Sequence, residues 1–318
     1  MSSINRLGLG TAALGRPQYI NLRQEKVLNQ DLETFKQHGF KVLEEAYGLG
    51  VRYFDTAPGY GLAERLVLEW VQTKNDPSIQ VATKWGYTYV ADFDVNAKIH
   101  EIKEHSLLKL NEQWEVSKAL IPHLKLYQIH SATLETGVLE NRSVLDQLAF
   151  LRAEHSIKIG ITTTGVNQLE VIKKALDITI EGEPLFDAFQ VTYNILDQNL
   201  KTISDMLIRE GKSIIVKEAL ANGRLFRNKA YPHYSDLYDL MESLADMYNV
   251  GVDAIALGFC AATMPDQIVL SGAANKRHLE DNVKLATFTM NDEDIRKLSE
   301  FKINEGSYWE ERKRLVWN

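Results

Sequence analysis

The sequence predicts a single (β/α)8 barrel of the TIM type, an α/β fold that spans residues 1–318. Short β-prone segments alternate with amphipathic helical patterns along the whole chain, giving eight strand-and-helix units. Several of the β-prone segments are nearly continuous in apolar residues, as expected for strands that are covered on both faces. No segment rich in Pro, Gly or Ser divides the chain, so one barrel domain is expected.

Each predicted strand is a run of β-branched and other apolar residues that stops near a polar residue or a turn. The eight strands are predicted at 7–9, 51–55, 79–84, 124–130, 158–163, 188–194, 213–217 and 267–271. A doubly wound open sheet is the alternative. It is disfavoured because the first βα turn has only Gly8-Leu9-Gly10, a partial match to G-x-G-x-x-G.

Between the strands, apolar residues recur every three or four positions, which indicates helices with one buried face. The helices are predicted at 31–49, 63–72, 96–111, 143–155, 168–177, 201–209, 235–248, 252–261 and 277–285. The last of these follows the eighth strand. Two helical runs therefore separate the seventh strand from the eighth.

The composition narrows the class of protein. Hydrophobic residues make up 45% and charged residues 25%, as in ordinary soluble globular proteins. A net charge of −7 and the lack of a Lys/Arg-rich block argue against a nucleic-acid surface. No apolar run approaches the ~18 residues of a membrane span, and the N-terminus lacks a signal-peptide pattern. The lone Cys260, in an apolar helical segment, suits a buried thiol and a cytoplasmic protein. The oligomeric state stays open.

Three predicted strands end on an ionisable residue, namely Asp55, Lys84 and His130, and Tyr60 follows Asp55 in a Pro-Gly turn. In a (β/α)8 barrel, the active site lies at the C-terminal ends of the strands. Each residue alone has a structural explanation: a turn cap, a packing tyrosine, a solvated lysine or a core histidine. Their joint placement favours one site, because ionisable residues are unlikely to occupy three strand ends and one adjoining loop by chance.

These four residue types suit a phenol that donates a proton. Tyrosine, with a pKa near ~10, is a poor acid at neutral pH. A neighbouring ammonium favours phenolate, and a carboxylate keeps that ammonium charged and in position. We therefore expect Lys84 to lower the pKa of Tyr60 and Asp55 to hold Lys84. The chain has one cysteine, and its predicted strand ends lack an H-x-x-x-H spacing, so the sequence contains no zinc-site pattern there. No metal is therefore predicted.

The four residues, with the segments 9–15 and 159–163, resemble the aldo-keto reductases. The resemblance runs from about residue 7 to residue 282. It implies a (β/α)8 barrel and NAD(P)H-dependent reduction of small carbonyl compounds (aldehydes, ketones or sugars), or the reverse oxidation of alcohols.

By position, the resemblance implies that Tyr60 is the general acid and base and that Lys84 is its partner. Asp55 is then the partner of Lys84, and His130 orients the substrate carbonyl. Two loop aromatics after Lys84 are expected to contact the substrate. They are Trp85 and Tyr87.

The resemblance also implies a cofactor site. Its residues are Gly10, Thr11, Ala12, Asp55, Thr162, Thr163, Gln190, Lys217, Gly272, Lys276, Arg277, His278, Asp281 and Asn282. Thr162 and Thr163 stand where the family has a Ser-Asn pair that holds the nicotinamide carboxamide. Gln190 matches the family's glutamine on the sixth strand. Lys217 stands near the position of an aromatic that stacks on the nicotinamide.

The adenine end of the cofactor is predicted at the last helix. Asn275 is expected to cap it, and its first residues are Lys276, Arg277 and His278. Cations at a helix N-terminus oppose the macrodipole, and a bound phosphate resolves that conflict. A solvated basic turn is the plain alternative. The family's phosphate-binding arginine aligns with His278, so the resemblance favours NADP(H) over NAD(H).

Two features concern the ends of the chain. The family's usual N-terminal hairpin, which closes the bottom of the barrel, is expected to be absent because Leu7 begins the first strand so early. The C-terminal tail, about 303–318, is rich in aromatics. These residues either pack on the barrel wall or lie near the active-site mouth.

Two other functions stay open at the level of sequence. A cofactor-binding, redox-sensing regulatory subunit with little turnover would keep the same residues. A Schiff-base barrel aldolase would use Lys84 as its nucleophile, but the matched Tyr60 argues against it.

Overall fold

A computed structural model, which describes residues 3–16, 31–94 and 97–315, shows a closed barrel of eight parallel strands. The strands are β1 (Leu7–Gly10), β2 (Tyr53–Asp55), β3 (Gln80–Trp85), β4 (Leu124–Ala132), β5 (Lys158–Thr163), β6 (Ala188–Thr192), β7 (Ser213–Lys217) and β8 (Ile268–Ser271). Each strand pairs with its neighbour in the sequence, and β8 pairs with β1 to close the barrel. The prediction of a (β/α)8 barrel is confirmed, and the open-sheet alternative is wrong.

Helices surround the barrel on its outer face. They are α1 (Ala12–Gly15), α2 (Leu32–Gly48), α3 (Ala63–Val71), α4 (Leu107–Ser117), α5 (Arg142–His155), α6 (Gln168–Leu176), α7 (Lys201–Arg209), α8 (Ser235–Tyr248), α9 (Val252–Thr263), α10 (Lys276–Asn282), α11 (Asp292–Ser299) and α12 (Glu305–Lys313). Their apolar faces and the outward side chains of the strands form the main core.

The interior of the barrel is layered. One side chain from each of six strands forms a separate apolar cluster: Tyr53, Ala82, Leu126, Ala188, Ile215 and Leu270. Side chains alternate along a strand, so residues two positions further on also face the interior, nearer the C-terminal ends. These positions hold Asp55, Lys84, Gln128, Gln190 and Lys217. The fold therefore places a polar layer directly above an apolar one.

The predicted helix at 96–111 is wrong in its first half. A two-stranded antiparallel hairpin pairs Tyr87–Tyr89 with Glu101–Lys103, and α4 begins only at Leu107. The Ser106 hydroxyl accepts a hydrogen bond from the amide of Lys109 and so fixes that start. Two exposed isoleucines of the hairpin, at positions 99 and 102, imitate helical spacing without a buried face. Residue 96 lies outside the described residues.

Two C-terminal helices were not predicted. Asn291 caps α11 and Asn304 caps α12, each through its side-chain oxygen. Tyr308 and Trp309 of α12 are buried. Arg312 of the same helix pairs with Glu218, the residue after β7, at 2.9 Å. The tail helix therefore lies against the C-terminal end of a barrel strand; residues 316–318 are outside the described part.

The described residues ahead of β1, Ser3–Arg6, form one turn of 3-10 helix. No single helix within residues 3–16, 31–94 and 97–315 has the length and apolarity to cross a membrane. Among the described residues, one pair of consecutive segments, Pro232–Tyr248 and Val252–Thr263, is together long and apolar enough. The two segments meet at an angle of 90°.

Candidate active site

The Asp55 carboxylate is the centre of the polar layer. It is only 2% exposed and forms an ion pair with Nζ of the fully buried Lys84. Its second oxygen accepts hydrogen bonds from Gln190 at 2.8 Å and Gln128 at 3.4 Å. Lys84 also donates to the carbonyl of Thr56 at 2.9 Å. Side chains from β2, β3, β4 and β6 thus meet at one carboxylate.

Tyr60 and His130 lie beside this ion pair. Tyr60 ends a single-turn 3-10 helix, Pro58–Tyr60, that follows β2. Its hydroxyl is 3.4 Å from Nε2 of His130, and Nζ of Lys84 is 4.7 Å from the centre of its ring. The structure therefore brings together all four residues that the sequence placed at strand ends and in the adjoining loop.

The pKa of Tyr60 is raised, contrary to the expected direction. The residue is half-buried, and desolvation of its phenol raises the pKa well above the usual ~10, with the Asp55 carboxylate adding to the rise. Lys84 does not reverse this, since its charge is paired with Asp55. The phenol therefore stays protonated at neutral pH.

Arg16 is a second cation at Tyr60, and the sequence analysis missed it. Its guanidinium carbon lies 5.5 Å from the centre of the Tyr60 ring, and its charge lowers the pKa of that phenol against the effect of burial. Arg16 pairs with Glu101 of the hairpin at 2.8 Å and donates to the carbonyl of Gly59 at 3.0 Å. Its place directly after the 9–15 segment was the one available signal.

His130 is a neutral imidazole at physiological pH. Burial lowers its pKa well below the usual range, and the charges of Lys84 and Lys217 add to this effect. The rings of Tyr60 and Tyr87 flank it, with centroids 5.3 Å and 4.6 Å away. The ring can therefore donate a hydrogen bond through one nitrogen but has no charge to contribute.

The two predicted substrate contacts differ in their placement. Tyr87 is partly exposed and packs on His130, so it lines the site. Trp85 has no exposed surface and packs on His105, 5.5 Å between ring centres. It follows the inward-facing Lys84 and so points out of the barrel. The structure does not bring Trp85 to the mouth.

The threonines and the lysine of the expected nicotinamide region lie at the ends of β5 and β7. Thr162 accepts a hydrogen bond from the amide of Ser131 at 2.7 Å. The buried hydroxyl of Thr163 has no partner among the described residues. Lys217 is half-buried, and desolvation lowers its pKa to about 8.

The backbone is uncrowded at the ends of β1 and β8. Among the described residues, a methyl group added at Gly272 would meet nothing within 4 Å, and one added at Gly10 would meet the Ser271 carbonyl at 3.4 Å. Thr11 donates to the Asp55 carbonyl through its hydroxyl and its amide, and Ala12 is buried. Glycine at both strand ends leaves the backbone accessible to a ligand.

The start of α10 is basic and exposed. The side chain of Asn275 caps the helix by accepting from the amide of His278 at 2.9 Å, which confirms the predicted cap. Lys276, Arg277 and His278 all face solvent, and Lys276 is 3.7 Å from Glu280.

The two predicted adenine contacts in α10 are engaged within the protein. Asp281 pairs with Lys284 at 3.0 Å. Asn282 is buried; it accepts from the Ser271 hydroxyl and donates to the Asp253 carboxylate. The structure therefore directs the Asn282 amide inward, toward a buried carboxylate that needs a donor.

Glu64 is a buried carboxyl group behind the site that sequence reasoning did not single out. It lies on α3, is 5% exposed and accepts hydrogen bonds from Thr83 at 2.5 Å and Ser117 at 2.8 Å. Burial raises its pKa from 4.5 to about 7, and the charge of Lys84 opposes part of that rise.

No group of three or more His, Cys, Asp or Glu side chains in the described ranges is arranged to hold a metal ion. The site consists of a phenol, an imidazole and paired charges. Such a set can donate and accept protons and can stabilise negative charge on an oxygen.

Comparisons with known proteins agree on one family. The sequence model of the Aldo/keto reductase family matches residues 6–303. The chain is 23% identical to the NADH-specific methylglyoxal reductase of Escherichia coli (strain K12), over 94% of each chain. Its fold is similar to a glycerol dehydrogenase from Gluconobacter oxydans (TM-score 0.69, 19% identity, 93% of this chain and 90% of that one). It is also similar to an aldo/keto reductase from Klebsiella pneumoniae solved with NADP and acetate (TM-score 0.68, 17% identity, 94% of each).

The raised pKa of Glu64 predicts a pH-dependent stability. Between about pH 4.5 and pH 7 the unfolded chain loses this proton while the folded protein keeps it, so stability falls as pH rises. The loss is complete above the folded pKa and amounts to roughly 3 kcal/mol. Glu64→Gln has no carboxyl group at this position, so its stability should lack this pH-dependent loss.

The measurement is the free energy of urea-induced unfolding for both proteins across this pH range. We expect the native protein to lose stability relative to Glu64→Gln as pH rises from 4.5 to 7. Parallel curves for the two proteins would contradict the assignment of a raised pKa.

Proposed function

This chain belongs to the aldo/keto reductase family, and from that premise we propose that Tyr60 is the general acid and base of its reaction. The protein is an NAD(P)-dependent oxidoreductase of the family that reduces carbonyl compounds. The proposed reaction interconverts a small aldehyde, ketone or sugar and the corresponding alcohol. The lone buried thiol, Cys260, suits the reducing cytoplasm, which we propose as its compartment.

One observation supports this proposal most strongly. The Tyr60 hydroxyl and Nε2 of His130 lie 3.4 Å apart, next to the buried Asp55–Lys84 pair. A carbonyl oxygen placed beside both the phenol and the imidazole would meet two hydrogen-bond donors. Donors placed where negative charge develops stabilise the transition state by several kcal/mol.

A nicotinamide cofactor, when bound, would supply the hydride. As negative charge grows on the carbonyl oxygen, Tyr60 donates its phenolic proton and the neutral His130 donates a hydrogen bond. The raised pKa keeps the proton on Tyr60 until the oxygen is basic enough to take it. Lys84 and Arg16 then stabilise the phenolate, because both cations lie against its ring. In the reverse direction the phenolate accepts the alcohol proton.

The residues present fit a nicotinamide cofactor. The unpartnered hydroxyl of Thr163, within the described residues, offers a donor at the end of β5. The uncrowded backbone at Gly10 and Gly272, just ahead of α10, would let a pyrophosphate approach closely. Thr11, Ala12, Thr162, Gln190 and Asp281 complete the set that we propose to hold it.

We propose NADP(H) rather than NAD(H) as the preferred cofactor. Lys276, Arg277 and His278 are exposed at the start of α10, where positive charge is unfavourable unless an anion binds. The 2′-phosphate that distinguishes NADPH from NADH is such an anion. Both cofactors occur among the similar proteins, since one is NADH-specific and another was solved with NADP.

Tyr60→Phe tests the proposed acid. The variant should lose on the order of 10² or more in kcat because the neutral His130 still donates a hydrogen bond but does not replace the phenolic proton. Cofactor affinity, measured by fluorescence titration, should change little. Tyr47→Phe is the matched control, since it removes a hydroxyl that bonds Asp76 at 2.8 Å, away from the site. Near-normal turnover of Tyr60→Phe would refute the assignment.

Joint replacement of Lys276 and Arg277 by alanine tests cofactor choice. A charge-assisted contact contributes about 1.5–3 kcal/mol, so NADPH affinity should fall about tenfold to a hundredfold and NADH affinity much less. Added salt should narrow the gap between the cofactors in the native protein. Replacement of Lys173 and Lys174, at the end of α6, controls for the charge change. Equal affinities of the native protein for both cofactors at low salt would rule out the preference.

A further inference from the structure

Lys217 extends into the mouth of the barrel. It is the last residue of β7, and Ile215, two positions before it, belongs to the apolar cluster inside the barrel. Alternation along the strand therefore directs Lys217 to the interior as well. It is aligned with Thr192 of β6 and remains half-buried, so a ligand in the mouth can reach it.

The other cations around this mouth have partners, and Lys103, 5.3 Å from the centre of the Tyr87 ring, donates to the Ser131 carbonyl at 2.9 Å. Lys84 pairs with Asp55, and the pairs Arg16–Glu101 and Arg312–Glu218 are 2.8 Å and 2.9 Å long. Lys217 makes no side-chain hydrogen bond or ion pair within residues 3–16, 31–94 and 97–315. Lys217 therefore differs from these neighbouring cations in that its ammonium has no acceptor among the described residues.

The position of this charge relates it to the substrate. The Lys217 ammonium acts electrostatically on His130, whose pKa it helps to lower, and on Lys84 in the same layer. These are the groups that would surround a reacting carbonyl. Gly272 and the start of α10, the proposed path of the cofactor phosphates, follow a different strand.

Leaving a half-buried ammonium without an ion-pair partner is unfavourable, because its desolvation outweighs the attraction of Glu218 and Asp55. We propose that Lys217 binds an anionic group of the substrate, so that the enzyme acts on carbonyl compounds bearing a carboxylate or a phosphate. This inference rests on the proposed function of the same site. It assigns Lys217 a contact with the substrate in place of the stacking contact of an aromatic.

The test compares two substrates that differ in one charge, para-carboxybenzaldehyde and its methyl ester, reduced by the native enzyme and by Lys217→Met. The readout is the ratio of kcat/KM for the acid to that for the ester. We expect this ratio to fall about tenfold to a hundredfold in Lys217→Met, as for loss of a charge-assisted contact. Lys217→Arg, which keeps the positive charge, should retain most of the native ratio.

Lys158→Met is the matched control, because Lys158 is exposed and begins β5 at the opposite end of the barrel. It should leave the ratio at the native value. An unchanged ratio in Lys217→Met would overturn the proposal. A tenfold rise of the Kd for NADPH or NADH in Lys217→Met, without a fall in the ratio, would overturn it as well. Failure of the native enzyme to reduce either aldehyde would instead contradict the proposed function itself.

The pH dependence gives an independent readout. The groups that act on the Lys217 charge are Glu218, Arg312, Lys84 and Asp55, and His130 is neutral. Lys217 loses its proton as pH rises through about 8, so KM for the carboxylate substrate should rise there in the native enzyme. Lys217→Arg, which stays charged, should show no such rise. The same rise in both proteins would overturn the proposal.

Discussion

The buried ion pair between Asp55 and Lys84 is the constraint on which the site depends. Both side chains lie inside the barrel, where an uncompensated charge would be strongly unfavourable. The pair is tolerated because Gln190 and Gln128 satisfy one carboxylate oxygen and Thr56 accepts from the ammonium. These contacts fix the ends of four strands relative to one another. The Tyr60 turn follows directly from one of these strand ends, so its position depends on the same contacts.

The functional groups differ in how the surroundings control their charge. Desolvation keeps the Tyr60 phenol protonated and the His130 imidazole neutral, so both are hydrogen-bond donors at neutral pH. Arg16 and Lys84 lie against the tyrosine ring and would favour the phenolate that the proposed proton transfer forms. Lys217 differs from these cations because it forms no ion pair in the described part of the chain. In the proposed mechanism, the surroundings of each group thus distinguish the acid, the orienting donor and the anion-binding group.

Much of this arrangement was predictable from local sequence. Asp55, Lys84 and His130 each end an apolar β-prone run, and parallel strands in a barrel bring such ends together. Contacts between distant segments were not predictable. Arg16 meets Glu101 across 85 positions, through a hairpin whose two isoleucines imitate a helix. The pKa of Tyr60 was expected in the wrong direction because residue identity does not reveal burial. Strand alternation, applied past Lys84, would have directed Trp85 out of the barrel.

The most direct test of this account is a double-mutant cycle on the ion pair, using Asp55→Asn, Lys84→Met and the combined variant. The quantity measured is the free energy of unfolding. Each single change leaves one buried charge without its partner and should cost about 3–5 kcal/mol. The double variant removes both charges, so its cost should fall short of the sum by about 2 kcal/mol or more. Costs that add to within about 0.5 kcal/mol would show that the pair is not a single unit and would contradict the account.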